Sequence, residues 1–154
     1  MTLKHIFLSA TVVTAGLFSL NAGFKGEPKD ALDKKKYNVT ISEIRENQPP
    51  KKGVADELEF KAGKGFFSQF LFDQKGFKWM KYEVTKDSTF TDEEQNEVHI
   101  IEANISSTNE EDETVLINCS VEDYDIKGEI KVTKKDKLKK RYEFSGKEKV
   151  AKKK

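Results

Sequence analysis

Histidine, cysteine and clustered carboxylates are the side chains here that could carry chemistry, and each is scarce or poorly spaced. Beyond residue 22 the chain holds one histidine, His99, and one cysteine, Cys119. A general base needs a proton donor within hydrogen-bond reach and a partner that orients it. No nucleophile-elbow sequence is present to supply one. His99 shares the odd parity of Ile101 and Ala103, so it reads as a hydrogen-bonded structural residue at a barrel rim, facing in. A lone cysteine gives neither a disulfide nor a thiolate metal cluster. Cys119 lies on an inward parity and reads as a small buried apolar group. The acidic runs Asp92-Glu93-Glu94 and Glu110-Glu111-Asp112-Glu113 lack the alternating ligands and central glycine of a calcium loop, so they read as solvated charge. No glycine loop suited to cradling phosphate occurs. Asn-x-Ser/Thr triplets start at Asn38, Asn104 and Asn118, all on outward parity. They are glycan acceptors in a eukaryotic secretory protein and ordinary strand-surface residues otherwise. No catalytic residue, metal ligand or cofactor is assigned, and the expectation is a protein that is not an enzyme.

The elements around these residues are strands. Val115, Ile117, Cys119 and Val121 are apolar at every second position, with polar neighbours. After Asp123 the apolar set moves to even numbers: Tyr124, Ile126, Gly128, Ile130 and Val132, and then Leu138, Tyr142 and Phe144. A period of two places one set on one face of a pleated strand. The parity change near Glu122–Asp123 marks one turn, and the charged Lys134–Lys137 marks another. Gly128, on an inward parity, marks a bulge or a close approach of another backbone.

Earlier in the chain, Tyr37–Ile44 alternates on odd positions and forms the first strand. Glu46–Asp56, with Pro49-Pro50, forms a loop at an entrance or lid. Leu58 and Phe60 lie on the next strand, which turns at Ala62-Gly63. The run 66–72 fits either a strand or a helix; a short strand to Phe67 or Ser68, then a short helix near 68–75, is the favoured reading. Trp79–Lys86 is a strand with Met80, Tyr82 and Val84 on one face. Asp87–Glu97 reads as a polar loop, and Val98–Ser106 as a strand. About eight strands at this spacing predict an all-β, antiparallel up-and-down meander closing as a barrel, with a β-sandwich second.

Residues 1–22 read as a secretory signal peptide: Lys4, then an apolar run from Ile6 to Leu20 too short for a comfortable membrane span. An uncleaved anchor is the alternative. Residues 23–36 follow as a flexible leader, 37–149 as the barrel domain and 150–154 as a basic tail. The expected location is periplasmic or secreted, with no transmembrane domain after cleavage. The charges segregate: residues 83–130 hold 15 Asp/Glu against two Lys, and residues 131–154 hold 12 Lys/Arg against three Asp/Glu. The basic run lacks interleaved aromatics, which argues against nucleic acid. Outward faces of neighbouring strands that attract one another explain the segregation better.

The spaced residues Asp56, Leu58, Phe60, Gly63, Lys64, Ser68, Gly76-Phe77 and Tyr82 resemble a pattern in small, functionally uncharacterised exported bacterial proteins. Ile126-Lys127-Gly128 with Ile130, and Tyr142-Glu143-Phe144-Ser145-Gly146, resemble their last strands. Ile117-Asn118-Cys119 stands where those proteins carry Trp-x-Gly. The resemblance covers about residues 56–146 and implies a lipocalin-like barrel without implying an activity. Two functions are then expected. One is lipid-binding: a small apolar or amphiphilic ligand held inside by Phe60, Tyr82, Ile101, Ile126, Tyr142 and Phe144. The other is a solid barrel serving as an envelope structural or protein-interaction module, with Phe67, Leu71 and Trp79 as an exposed apolar patch.

Overall fold

The computed structural model describes residues 30–70, 76–77 and 79–150. The signal peptide, most of the leader, Leu71, most of the short helix near 68–75 and the residues after Val150 lie outside the described residues. Eight strands follow in order: β1 (Lys36–Ile44), β2 (Val54–Lys61), β3 (Lys64–Phe67), β4 (Met80–Thr91), β5 (Glu97–Thr108), β6 (Glu113–Glu122), β7 (Asp125–Lys134) and β8 (Lys137–Glu148). Each pairs antiparallel with the next, and β8 returns to β1 with Phe144 opposite Ile41, so the sheet closes as an up-and-down barrel. Among the described residues no helix is long and apolar enough to cross a membrane.

Alternation explains the inside. Tyr37, Val39 and Ile41 from β1, and Val115, Ile117, Cys119 and Val121 from β6, are all buried. The alternating members of β2, β5 and β7 join them in one apolar cluster. Two inward glycines let the sheet close tightly. A Cβ on Gly128 would meet the Asn118 carbonyl oxygen at 2.5 Å and the Phe144 ring at 2.5 Å; one on Gly146 would meet the Asn38 carbonyl oxygen at 2.0 Å. Of the two readings of Gly128, close approach is the one observed. The tight turn at Ala62-Gly63 holds both residues at positive φ, as a two-residue hairpin requires.

Four expectations need correction. Asp87–Glu97 is not all loop: β4 runs to Thr91 and β5 starts at Glu97, because the two pair as a long ribbon through Thr91–Glu97. Leu138 does not continue the inward set. Lys140 still pairs with Val132 in the regular register, but a shift just beyond it sets Leu138 against Thr133, so Leu138 faces water at 53% exposure. Residues 30–35 are not free leader. Leu32 is fully buried, the Lys34 N–H donates to the Phe60 carbonyl and the Phe60 N–H to that of Lys35. Phe67 is no exposed contact; it is buried in the core.

Closure is weakest between β3 and β4, which pair only at Lys64–Lys81 and Gly65–Met80. The Tyr82 N–H adds a bond to the Gly63 carbonyl. Beside this short seam the turn at Ala31–Lys34 packs in, tied by the Tyr82 hydroxyl, which donates to the Asp30 carboxylate, and by the Ala62 N–H, which donates to Asp33 Oδ1.

Candidate functional site

The end of the barrel carrying the β1–β2 loop and the β3–β4 connection holds a concavity of about 380 Å³. That volume lies within the range of small-molecule sites. Its apolar floor is Ile41, Phe70 and Tyr142, and its rim carries Glu43, Lys51, Lys52, Val54 and Lys140. The floor is one end of an aromatic ladder. Phe144 meets Phe67 edge-on at 5.6 Å, Phe67 meets Phe70 at 6.4 Å, and Phe70 meets Tyr142 at 4.7 Å. Edge-to-face pairs of this kind fix ring orientation as well as burying area.

Asp56 shapes the mouth. It is the one buried charged side chain among the described residues, and both its oxygens are taken. Oδ1 accepts from Ser68 Oγ at 2.6 Å, the Gln69 N–H at 3.0 Å and its neighbour Glu57's N–H at 2.7 Å; Oδ2 accepts from the Phe70 N–H at 2.8 Å. A buried carboxylate held by backbone donors pins the bend after β3 and so places Phe70 on the floor. The rim charges divide. Lys51 Nζ reaches Glu43 Oε2 at 2.7 Å, while Lys52 and Lys140 have no ion-pair partner among the described residues. Lys140 reaches this mouth because it lies two residues from Tyr142 in unbroken register, and so on the same side of β8.

The six expected lining residues all come to the inner face. Phe60, Ile101, Ile126, Tyr142 and Phe144 are buried members of the core, and Tyr82 packs against it half-buried. Phe60 lies edge-on between Tyr37 at 6.0 Å and Tyr82 at 5.2 Å. Of the six, Tyr142 alone borders the mouth concavity. Two further concavities, of about 790 and 670 Å³, are troughs on the outer face, lined mostly by Ser, Thr, Glu and Lys side chains.

His99 sits away from the mouth, on the β4–β5 ribbon, where its Nε2–H donates to Asp87 Oδ1 at 2.5 Å and its backbone N–H to Asp123 Oδ1. Cys119 is buried beside the Ala103 carbonyl, which its thiol approaches at 3.5 Å, and burial pushes that thiol up to about 12. Among the described residues no group of three or more His, Cys, Asp or Glu is arranged to hold a metal ion.

Sequence reasoning missed Ile41 as floor and Lys52 and Lys140 as rim. The long proline-bearing loop at an entrance was the one signal that led toward Lys51 and Lys52. Comparison with known proteins finds no matching family model, no matching curated protein and no matching solved structure.

Proposed function

We propose that this protein is an exported, non-enzymatic β-barrel that binds a small apolar or amphiphilic ligand at its mouth. The carrying observation is the aromatic and aliphatic floor of a roughly 380 Å³ concavity whose rim is charged. The centre of the barrel is filled by its own side chains, with Ile105, Ile117 and Ile130 at 1% exposure or less. A ligand therefore seats above Tyr142 rather than among the six residues expected to surround it. The apolar run at residues 6–20 supports export.

Methyl and aromatic NMR during titration with decanol tests the reading. Resonances of Ile41, Phe70 and Tyr142 should shift, with those of Ile117 and Ile130 unmoved. Shifts confined to Ile117 and Ile130 would place the ligand inside, and no shifts at all would favour the second reading. That reading is a solid lipocalin-like barrel that docks an envelope protein. It draws on Trp79, 40% exposed and stacked on Phe66 at 5.0 Å on the outer face.

A further inference from the structure

We infer that the ligand of the mouth is a single-chain amphiphile with an anionic head, its chain on Ile41, Phe70 and Tyr142 and its head between Lys52 and Lys140. The inference rests on the mouth-site reading above and adds the charge of the ligand to it. Five charged side chains line the concavity: Lys51, Lys52, Lys140, Glu43 and Asp56. Glu43 is neutralised by Lys51 at 2.7 Å. The Asp56 carboxylate is turned into the bend after β3, where four donors surround it. Two ammonium groups remain with no carboxylate to answer them among the described residues.

The placement of Lys140 is the stronger argument. Val132 lies opposite it, and both neighbours on its face of the ladder, Val132 and Tyr142, are buried. A lysine on the core-facing side of a strand keeps its stem on apolar surface and sends its ammonium to the rim. Its charge therefore stands at the edge of an aromatic floor. A head group there meets cations while the chain behind it displaces water from Phe70 and Tyr142. A neutral chain gains only the second term, and a cationic head meets repulsion.

Isothermal titration of the full chain at low salt tests this. The probes are decanoate, decyl phosphate, decanol, decyltrimethylammonium and inorganic phosphate, each below micelle formation. Decanoate and decyl phosphate should bind about tenfold more tightly than decanol, as two exposed charge contacts allow. The trimethylammonium chain should bind most weakly of the chains. Salt should narrow the gap. Lys52→Gln with Lys140→Gln should bring decanoate down to decanol, whereas Lys140→Arg and the distant Lys127→Gln should leave it tight. Urea midpoints for all variants guard against a fold defect. If decanol and decanoate bind equally, the charge inference falls and the mouth site stands. If inorganic phosphate binds as tightly as decyl phosphate, the chain plays no part and the amphiphile is overturned. If no chain binds, the mouth-site reading itself falls.

Discussion

Asp56 and Tyr37 show opposite outcomes for a buried polar group. Asp56 answers four donors: the backbone N–H groups of Gln69 and Phe70 and the Ser68 hydroxyl in the bend after β3, and the N–H of its own neighbour Glu57. Asp56→Ala strands those donors in a site with little water, and the expected loss is about 2–3 kcal/mol, read from urea unfolding. Asp56→Asn keeps an acceptor and should lose roughly half as much. A loss under about 0.5 kcal/mol for the alanine variant would mean the bend holds without its carboxylate. Tyr37 is the reverse. Its ring is fully buried against Phe60, and its hydroxyl has no hydrogen-bond partner among the described residues. Tyr37→Phe keeps the ring and removes the orphaned group, so it should stabilise the barrel by about 1 kcal/mol. A lower urea midpoint for that variant would show that the hydroxyl is satisfied after all. Neither role was legible beforehand. Asp56 stood out only as one of several spaced residues, and Tyr37 only as an inward position, because hydrogen-bond partners up to 14 residues away are not written in local alternation.

At the scale of strands, alternation was a sound guide wherever the ladder is regular and failed where it slips. β1, β2, β5, β6 and β7 bury the residues their parity assigns, except that Tyr124, which the even set included, stands 64% exposed in the turn before β7. β4 shifts register between Val84 and Lys86, and β8 does so opposite Val132–Thr133. A bulge moves every later side chain to the other face. Nothing in Lys137–Arg141, a run of charge around one leucine, announces it. The shift in β8 exposes Leu138. Lys140 lies on the Tyr142 side of the slip and keeps the even parity of Tyr142; a reading that follows apolar residues passes over it because it is charged. Of the floor, Tyr142 was legible as an inward lining residue, and Phe70 only as one aromatic in a run that fits either a strand or a helix. Leu138→Thr discriminates sharply. On the outer face it should change stability by no more than about 0.5 kcal/mol. In a core it would cost about 2 kcal/mol or more, through lost methyl groups and a buried hydroxyl. A drop in urea midpoint matching the larger figure would restore the unbulged register. The β4–β5 ribbon yields a second test at this scale. Beyond Tyr82 the side of β4 away from β5 has no strand partner among the described residues. Amides of residues 86–91 should exchange hydrogen faster than those of Ile117 and Ile130, and equal protection would mean that something covers that edge.

For the whole molecule, closure puts three weak acids into apolar surroundings. Burial pushes the phenols of Tyr37 and Tyr82 well above their ordinary value, Tyr82 with help from its bond to Asp30, and burial pushes Cys119 from 9.0 up to about 12. Each group is neutral in the barrel and free to ionise once the chain unfolds. Between pH 9 and 12 the unfolded chain therefore binds fewer protons than the native one, so stability falls as pH rises. Cys119 starts this fall, since its unfolded thiol titrates about one unit before the phenols. From pH 8 to pH 10 it should remove about 1.4 kcal/mol, with smaller losses from the two tyrosines. Cys119→Ala lowers stability at every pH because it leaves a small cavity, but the drop between pH 8 and pH 10 should shrink by most of that amount. Urea unfolding of both proteins at the two pH values supplies the comparison. The thiol should also resist an aromatic disulfide reagent at pH 8 until urea opens the fold. An unchanged pH dependence in Cys119→Ala, or rapid labelling of the folded protein, would mean that Cys119 is open to water and that β6 does not face the interior the barrel requires.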